Sequence, residues 1–210
     1  MTDLEIQQNR QLFLDYCHQY VHREGLDKLL NYLEHTDFFE TPSSTKFHLN
    51  VRGGLCKHSL NVFETALSIN KCILLPKQKS GESIFSEPLS EESIAVAALF
   101  HDVCKCNMYK VTERWRKDEH NKWESYKAYE VSDDFPFGHG EKSCYIVSHY
   151  IRLMRDELLA MRWHMGMYDV GEAGTPNRFS FYAATDASPL VVLLQMADMA
   201  SSHWFEETFQ

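Results

Sequence analysis

The chain has 210 residues, 44% hydrophobic and 24% charged, so it can bury a real core and is not disordered as a whole. Its length suits one compact domain, or a domain with an appendage. A formal charge of −9 argues against a general nucleic-acid binder, because phosphate backbones attract basic surfaces, but it permits a small anionic substrate at one local positive site.

The opening MTDLEIQQNRQLF is mixed and polar rather than a charged-then-apolar leader. No run approaches the roughly 18–20 apolar residues of a membrane span. The expectation is a soluble, cytoplasmic protein with no membrane partner. Cys17, Cys56, Cys72, Cys104, Cys106 and Cys144 are scattered in a chain too large to need a disulfide framework, and they read as reduced, partly buried thiols. Cys104-Lys-Cys106 has one intervening residue, not the two to four of common zinc knuckles.

In chain order, the spacing of Leu4, Leu12, Phe13 and Tyr16 predicts a helix over 3–23. Leu26, Leu29, Leu30 and Leu33 predict a second over 26–35. TPSST (41–45) is a loop closed by Gly53-Gly54. From about Cys56, a helix turns Leu60, Phe63, Ala66, Leu67 and Ile69 toward a core. Residues 76–90 read as a polar connection, ended by Ser90 as N-cap with Glu91 and Glu92 in the first turn. The helix SEESIAVAALFHDVCK then runs to His101 and Asp102 near its end. Residues 109–131 change character and predict two strands about the polar turn DEHNK, the one hairpin in a helical chain. DDFPFGHGEKS leads into a helix over 140–153, and another covers about 155–165. The stretch 169–188 is loop-rich, with Gly171, Gly174, Pro176 and Pro189 as breakers. Ser188-Pro189 starts a last helix carrying Leu190, Leu193, Leu194, Ala197 and Ser201 on one face.

Six ionisable residues stand where a core face belongs: His58, His101, Asp102, His139, His164 and Asp198. One alone would read as a satisfied core histidine or a capping aspartate. Six on five helices do not, because burying several imidazoles and carboxylates without a shared charge is costly. A metal removes the conflict, and imidazole with carboxylate suits Mn, Fe, Zn, Co or Ni, with Mg a further candidate.

The order His58, His101-Asp102, Asp198 resembles the HD-domain superfamily of metal-dependent phosphohydrolases. GGLCKHSLNV and AALFHDVCK are similar to its two leading helices, and GHGEKS, RWHMG and LLQMADMAS to its later motifs. The likeness spans roughly residues 45 to 205 and is nearest the branch with two added histidines, seen in HD-type exoribonuclease and phosphodiesterase domains. It implies an all-α HD bundle with one inserted β-hairpin at about 109–131, preceded by a helical extension, 1–44, packed on a domain over 45–210. It implies one metal held by His58, His101, Asp102 and Asp198, and a second by His139 and His164 with Asp102 bridging. It also gives Lys105 a place beside the phosphate, where three residues after Asp102 its ammonium would offset transition-state charge.

Two departures stand out. Cys104 takes the place of the family's frequent glycine before the lysine, which is expected to alter packing, and no Gly-Tyr-Pro follows the HD helix, which disfavours a cyclic-dinucleotide phosphodiesterase of that kind. His48 is similar to a histidine in some relatives, but its offset differs and it reads as a loop residue. The hairpin is tied at both ends to metal-bearing helices. It is either a flap, with Arg114 and Arg116 on phosphate and Trp115, Trp123 or Tyr126 on a base, or a hairpin whose aromatics pack on the body.

The leading function is hydrolysis of a phosphate monoester or phosphodiester in a nucleotide or short oligonucleotide by metal-activated water, with no long nucleic acid as partner. Alternatives are an HD-fold di-iron oxygenase acting on a small polar molecule and a non-catalytic nucleotide-binding module. Nothing in the residues fixes the oligomeric state.

Overall fold

The computed structural model describes residues 1–172 and 174–209. Nine α-helices and one hairpin follow in chain order among them: α1 Asp3–Tyr20, α2 Leu26–Glu34, α3 Gly54–Ile69, α4 Leu75–Lys79, α5 Glu91–Phe100, β1 Tyr109–Lys117, β2 Trp123–Val131, α6 His139–Ser148, α7 Arg155–Trp163, α8 Pro176–Ala187 and α9 Pro189–Ala200. The architecture is the expected helical bundle with a hairpin insertion. Side-chain caps start several helices: Thr2 and Glu5 form a capping box on α1, Ser90 accepts from Ser93 N–H, and Ser188 accepts from Leu190 N–H.

α5 is the axle. Every residue from Ile94 to Phe100 is buried, which is the pattern of a helix surrounded on all sides. α3, α7 and α9 pack around it, and α1 lies against it through Phe13, whose ring is 5.9 Å from that of Phe100. Phe38 and Phe39 close the same aromatic cluster at 4.9 and 5.7 Å from Phe13.

The chain departs from the sequence reading in four places. α3 continues through a π-helical turn, Asn70–Leu74, into α4, so 76–79 is helical rather than polar connection. Pro76 follows directly on the π-helical turn, where the regular α ladder is already interrupted. Pro176 sits in the first turn of α8, where its missing N–H has no partner to lose, so it opens that helix, and 176–187 is helical where a loop was expected. Only Phe181 and Ala184 of it are buried, while Phe179 and Tyr182 are exposed, so no clear apolar stripe marks it in sequence beside the neighbouring glycines. α6 stops at Ser148, five residues short of the expected end. α5 ends at Phe100, one residue before the His-Asp pair, and Val103–Lys105 form a separate 3₁₀ turn.

Two glycines set close approaches near that break. A Cβ on Gly54 would lie 2.1 Å from the Leu49 carbonyl oxygen, so only glycine lets α3 start against the 41–49 loop. A Cβ on Gly140 would lie 2.3 Å from the carbonyl oxygen of Arg162, so α6 and the end of α7 meet backbone to backbone. That contact brings His139, beside Gly140, to His164, at the end of α7; their ring centroids are 5.1 Å apart.

The hairpin pairs Tyr109 with Val131 at its base and Lys117 with Trp123 at its tip. Trp115 and Trp123 are 63% and 65% exposed, so they do not pack on the helical body.

Gly140→Ala is expected to push α6 off α7. Overpacking of this kind costs about 1–3 kcal/mol, which a urea unfolding midpoint will register; an unchanged midpoint would mean that the two backbones have room to part.

Candidate metal centre

The break after Phe100 has a chemical consequence. On a continuous helix, consecutive side chains diverge by a large angle. Here His101 caps α5 and Asp102 leaves helical geometry (φ −107°, ψ 15°), so both reach one centre. In the 3₁₀ turn that follows, residues three apart eclipse each other. Lys105 therefore stands over Asp102, with Nζ 2.6 Å from Oδ2.

Asp102 is 2% exposed and its two oxygens face different neighbours. Oδ1 lies 2.8 Å from His139 Nε2 and 3.5 Å from His164 Nε2. Oδ2 lies 3.6 Å from His58 Nε2, 3.5 Å from His101 Nε2 and 2.6 Å from Lys105 Nζ. Asp198, in the last turn of α9, places Oδ1 3.2 Å from His58 Nε2. The structure thus brings four of the expected histidines, and Lys105, around the Asp102 carboxylate, with Asp198 joined through His58.

The imidazoles are held by their far nitrogens. His101 Nδ1 is 2.8 Å from the Ala98 carbonyl, and His164 Nδ1 is 2.7 Å from the Met161 carbonyl. Each carbonyl accepts an Nδ1–H, which leaves the Nε2 lone pair aimed inward. His58 and His101 consequently meet Nε2 to Nε2 at 3.3 Å. The buried His164 Nε2 has no hydrogen-bond partner. Three inward-facing imidazole nitrogens beside two carboxylates, that of His164 without a partner, form a donor set that a divalent cation satisfies once His58 gives up its Nε2 proton. Triplets from this set keep their ligand atoms within 4.8 Å of one another, namely His58/His101/Asp198, His101/Asp102/His164 and Asp102/Cys104/His139.

Burial alone would raise the pKa of both aspartates. Lys105 and His101 nonetheless hold Asp102 well below the usual carboxylate range, and His58 does the same for Asp198. Burial opposes charge on His58 too, yet Glu206 and Asp198 carry its pKa up to about 10. His101 goes the other way, to about 3, under burial and the neighbouring His164 and His58. Lys105 stays charged, since Asp102 more than offsets its burial.

A family model described as "HD domain" matches residues 55–201. The chain belongs to the HD-domain family. No curated protein and no solved structure matched it in the same comparisons. The HD match spans α3 to the end of α9 and contains all six donors.

Several features of this HD domain were not legible in sequence. His48, expected as a loop residue, has its ring 4.8 Å from that of His58 and a buried Nε2 without partner; burial, His58 and Lys105 lower its pKa to about 4. Cys104 does more than alter packing: its Sγ is 3.4 Å from His139 Nδ1, and its N–H donates to Ser143 on α6. Tyr109, at the hairpin base, is raised by burial with Lys105 and Asp102 among its charged neighbours. Glu206 meets His58 from beyond α9.

Among the described residues no hydrogen bond or ion pair joins Arg114 or Arg116 to the cluster. They lie five and seven residues out from Tyr109, about 17 and 23 Å along a strand at ~3.3 Å per residue, and Arg116 pairs with Glu124 at 2.7 Å. His18, His22, His35, His120, His149 and His203 are exposed. All six cysteines are free, Cys72 exposed and the other five buried. Among the described residues no helix is long and apolar enough to cross a membrane.

Metal-free protein should show a stability optimum near pH 6.5, the ordinary histidine value. His101 and His48 are held neutral, so their contribution is present above 6.5 and is lost as pH falls toward 3–4. His58 is held charged, so its contribution is present below 6.5 and is lost as pH rises toward 10. Thermal unfolding in chelator from pH 5 to 9 tests this: the midpoint should fall on both sides, and His58→Gln should flatten the alkaline side. A profile that only rises or only falls contradicts the arrangement.

Proposed function

We propose that this chain is a metal-dependent phosphohydrolase of the HD branch with two additional histidines. Its substrate would be a phosphate monoester or phosphodiester of a nucleotide or short oligonucleotide. One observation carries the reading: Asp102 offers Oδ1 to His139 and His164, and Oδ2 to His58, His101 and Lys105. A single carboxylate faces two donor sets and an ammonium at once, which suits a bridging ligand with a phosphate contact beside it.

In this reading His58, His101, Asp102 and Asp198 hold one ion, and His139 and His164 hold a second with Asp102 shared. Nitrogen and carboxylate donors suit Mn, Fe, Co, Ni or Zn, with Mg a further candidate. When bound, such ions polarise a phosphoryl oxygen and make water nucleophilic at neutral pH. The protein supplies the rest. The anchored Nδ1 atoms fix the imidazoles, so no reorganisation is needed when substrate arrives. Asp102 and Asp198 stay ionised and are acceptors, not proton donors, at neutral pH. Lys105, 12% exposed and charged, offsets charge building on the phosphate oxygens. His139 at 22% and Asp198 at 16% exposure are the most open members, and they mark the side from which substrate enters.

Lys105 also favours phosphate over dioxygen chemistry, since an oxygen-activating centre has no anionic phosphate for that ammonium to meet. In this reading residues 1–44 are an extension packed on the domain over 45–210: every donor lies after residue 45, while α1 contributes core contacts through Phe13.

Hydrolysis of bis(p-nitrophenyl) phosphate and of dinucleotides, with each metal in turn, tests the proposal. Asp102→Asn should lose metal and turnover together. Lys105→Met should keep metal while kcat falls by about 10²–10³-fold. Wild-type kcat in Lys105→Met would remove the lysine from the mechanism, and turnover that stops under anaerobic conditions would replace hydrolysis with oxygenation.

A further inference from the structure

Residues 206–209 turn back over the start of α3. Leu49 N–H donates to the Glu207 carbonyl at 2.8 Å. Asn50 and Phe209 exchange two hydrogen bonds, Asn50 Nδ2–H to the Phe209 carbonyl and Phe209 N–H to Asn50 Oδ1, both at 2.7 Å. This fold-back puts the Glu206 carboxylate fully inside, with its side chain 0% exposed. Its Oε2 is 3.0 Å and its Oε1 3.1 Å from His58 Nδ1, and Oε1 also accepts from Asn61 Nδ2–H at 2.8 Å.

His58 needs such a partner because of where it sits. His101 and His164 stand at the C-terminal ends of α5 and α7, and each rests its Nδ1 on the carbonyl three residues back. His58 stands inside α3, where the preceding carbonyls are committed to the helix ladder. Nothing on its own helix can anchor Nδ1. The tail supplies the anchor, from a residue outside the matched segment 55–201.

We propose that Glu206 is a positioning residue of the metal centre. Its buried carboxylate holds His58 as the Nδ1–H form and turns Nε2 toward Asp102 and Asp198. The tail is then a working wall of the site, and the same strap seats the 48–50 loop that carries His48 against His58. This rests on the metal-dependent reading of the same centre.

The test uses the full chain with Zn²⁺ as probe, titrated against a chelating dye, alongside unfolding midpoints in chelator. Removing an outer partner of a ligating histidine weakens metal by about 10–100-fold. Glu206→Ala should show that loss for the ion bound through His58 and leave the other unchanged. Glu206→Gln keeps an oxygen for Nδ1–H and should recover most of the affinity. Should the alanine variant not fold, Glu206→Asp keeps the charge but withdraws the oxygens by one methylene, and it should show the same one-sided loss. Wild-type affinity in Glu206→Ala or Glu206→Asp overturns the proposal. So does an equal loss for both ions in the glutamine and alanine variants, in step with lowered metal-free stability. Wild-type protein that takes up no Zn²⁺ sinks the metal reading and this proposal together, a result distinct from the others.

Discussion

A carboxylate buried to 2% exposure must be surrounded by positive charge or donors, and at Asp102 that requirement organises the protein. A lone ionised carboxylate there would be untenable. Lys105 meets one oxygen, His139 meets the other, and three more imidazoles stand within 3.6 Å. The fold serves this arrangement. α5 must end at Phe100, so that His101 and Asp102 converge. A 3₁₀ turn must follow, so that Lys105 eclipses Asp102. Gly140 must lack a side chain, so that α6 brings His139 up to α7.

The scaffold also fixes directions. Two imidazoles use the free carbonyls at helix C-termini as rests, which turns the otherwise unsatisfied ends of α5 and α7 into mounts. The cost of packing inward-facing lone pairs is met by the apolar shell around them, since α5 is buried along nearly its whole length and α3, α7 and α9 close over it. The centre of the site is therefore helical. Its rim is His139 at the start of α6, the 48–50 loop with the tail, and the base of the hairpin at Tyr109.

The centre was legible in the sequence because its donors sit on, or at the ends of, apolar helices. His58 and Asp198 break apolar stripes, and His101-Asp102 interrupts an apolar run, so each is conspicuous. The flanking words carried the resemblance that the HD match supports. What stayed hidden has physical reasons. Glu206 lies in a short polar tail with no periodicity, and only its hydrogen bond to His58 gives it meaning. His48 is one loop residue whose position depends on how the tail closes. Pro176 read as a breaker because a proline in a first turn and a proline ending a helix look alike in a single sequence. Arg114 and Arg116 were placed by their charge and by the hairpin's attachment to metal-bearing helices, and on β1 they stand five and seven residues out from Tyr109.

Whether one carboxylate serves two cation positions is read from anomalous diffraction of crystals soaked in Mn²⁺. Two manganese peaks should flank Asp102, one among His58, His101 and Asp198 and the other beside His139 and His164. A single peak that Asp102 does not touch, or density for Lys105 alone at that carboxylate under saturating Mn²⁺, would contradict it.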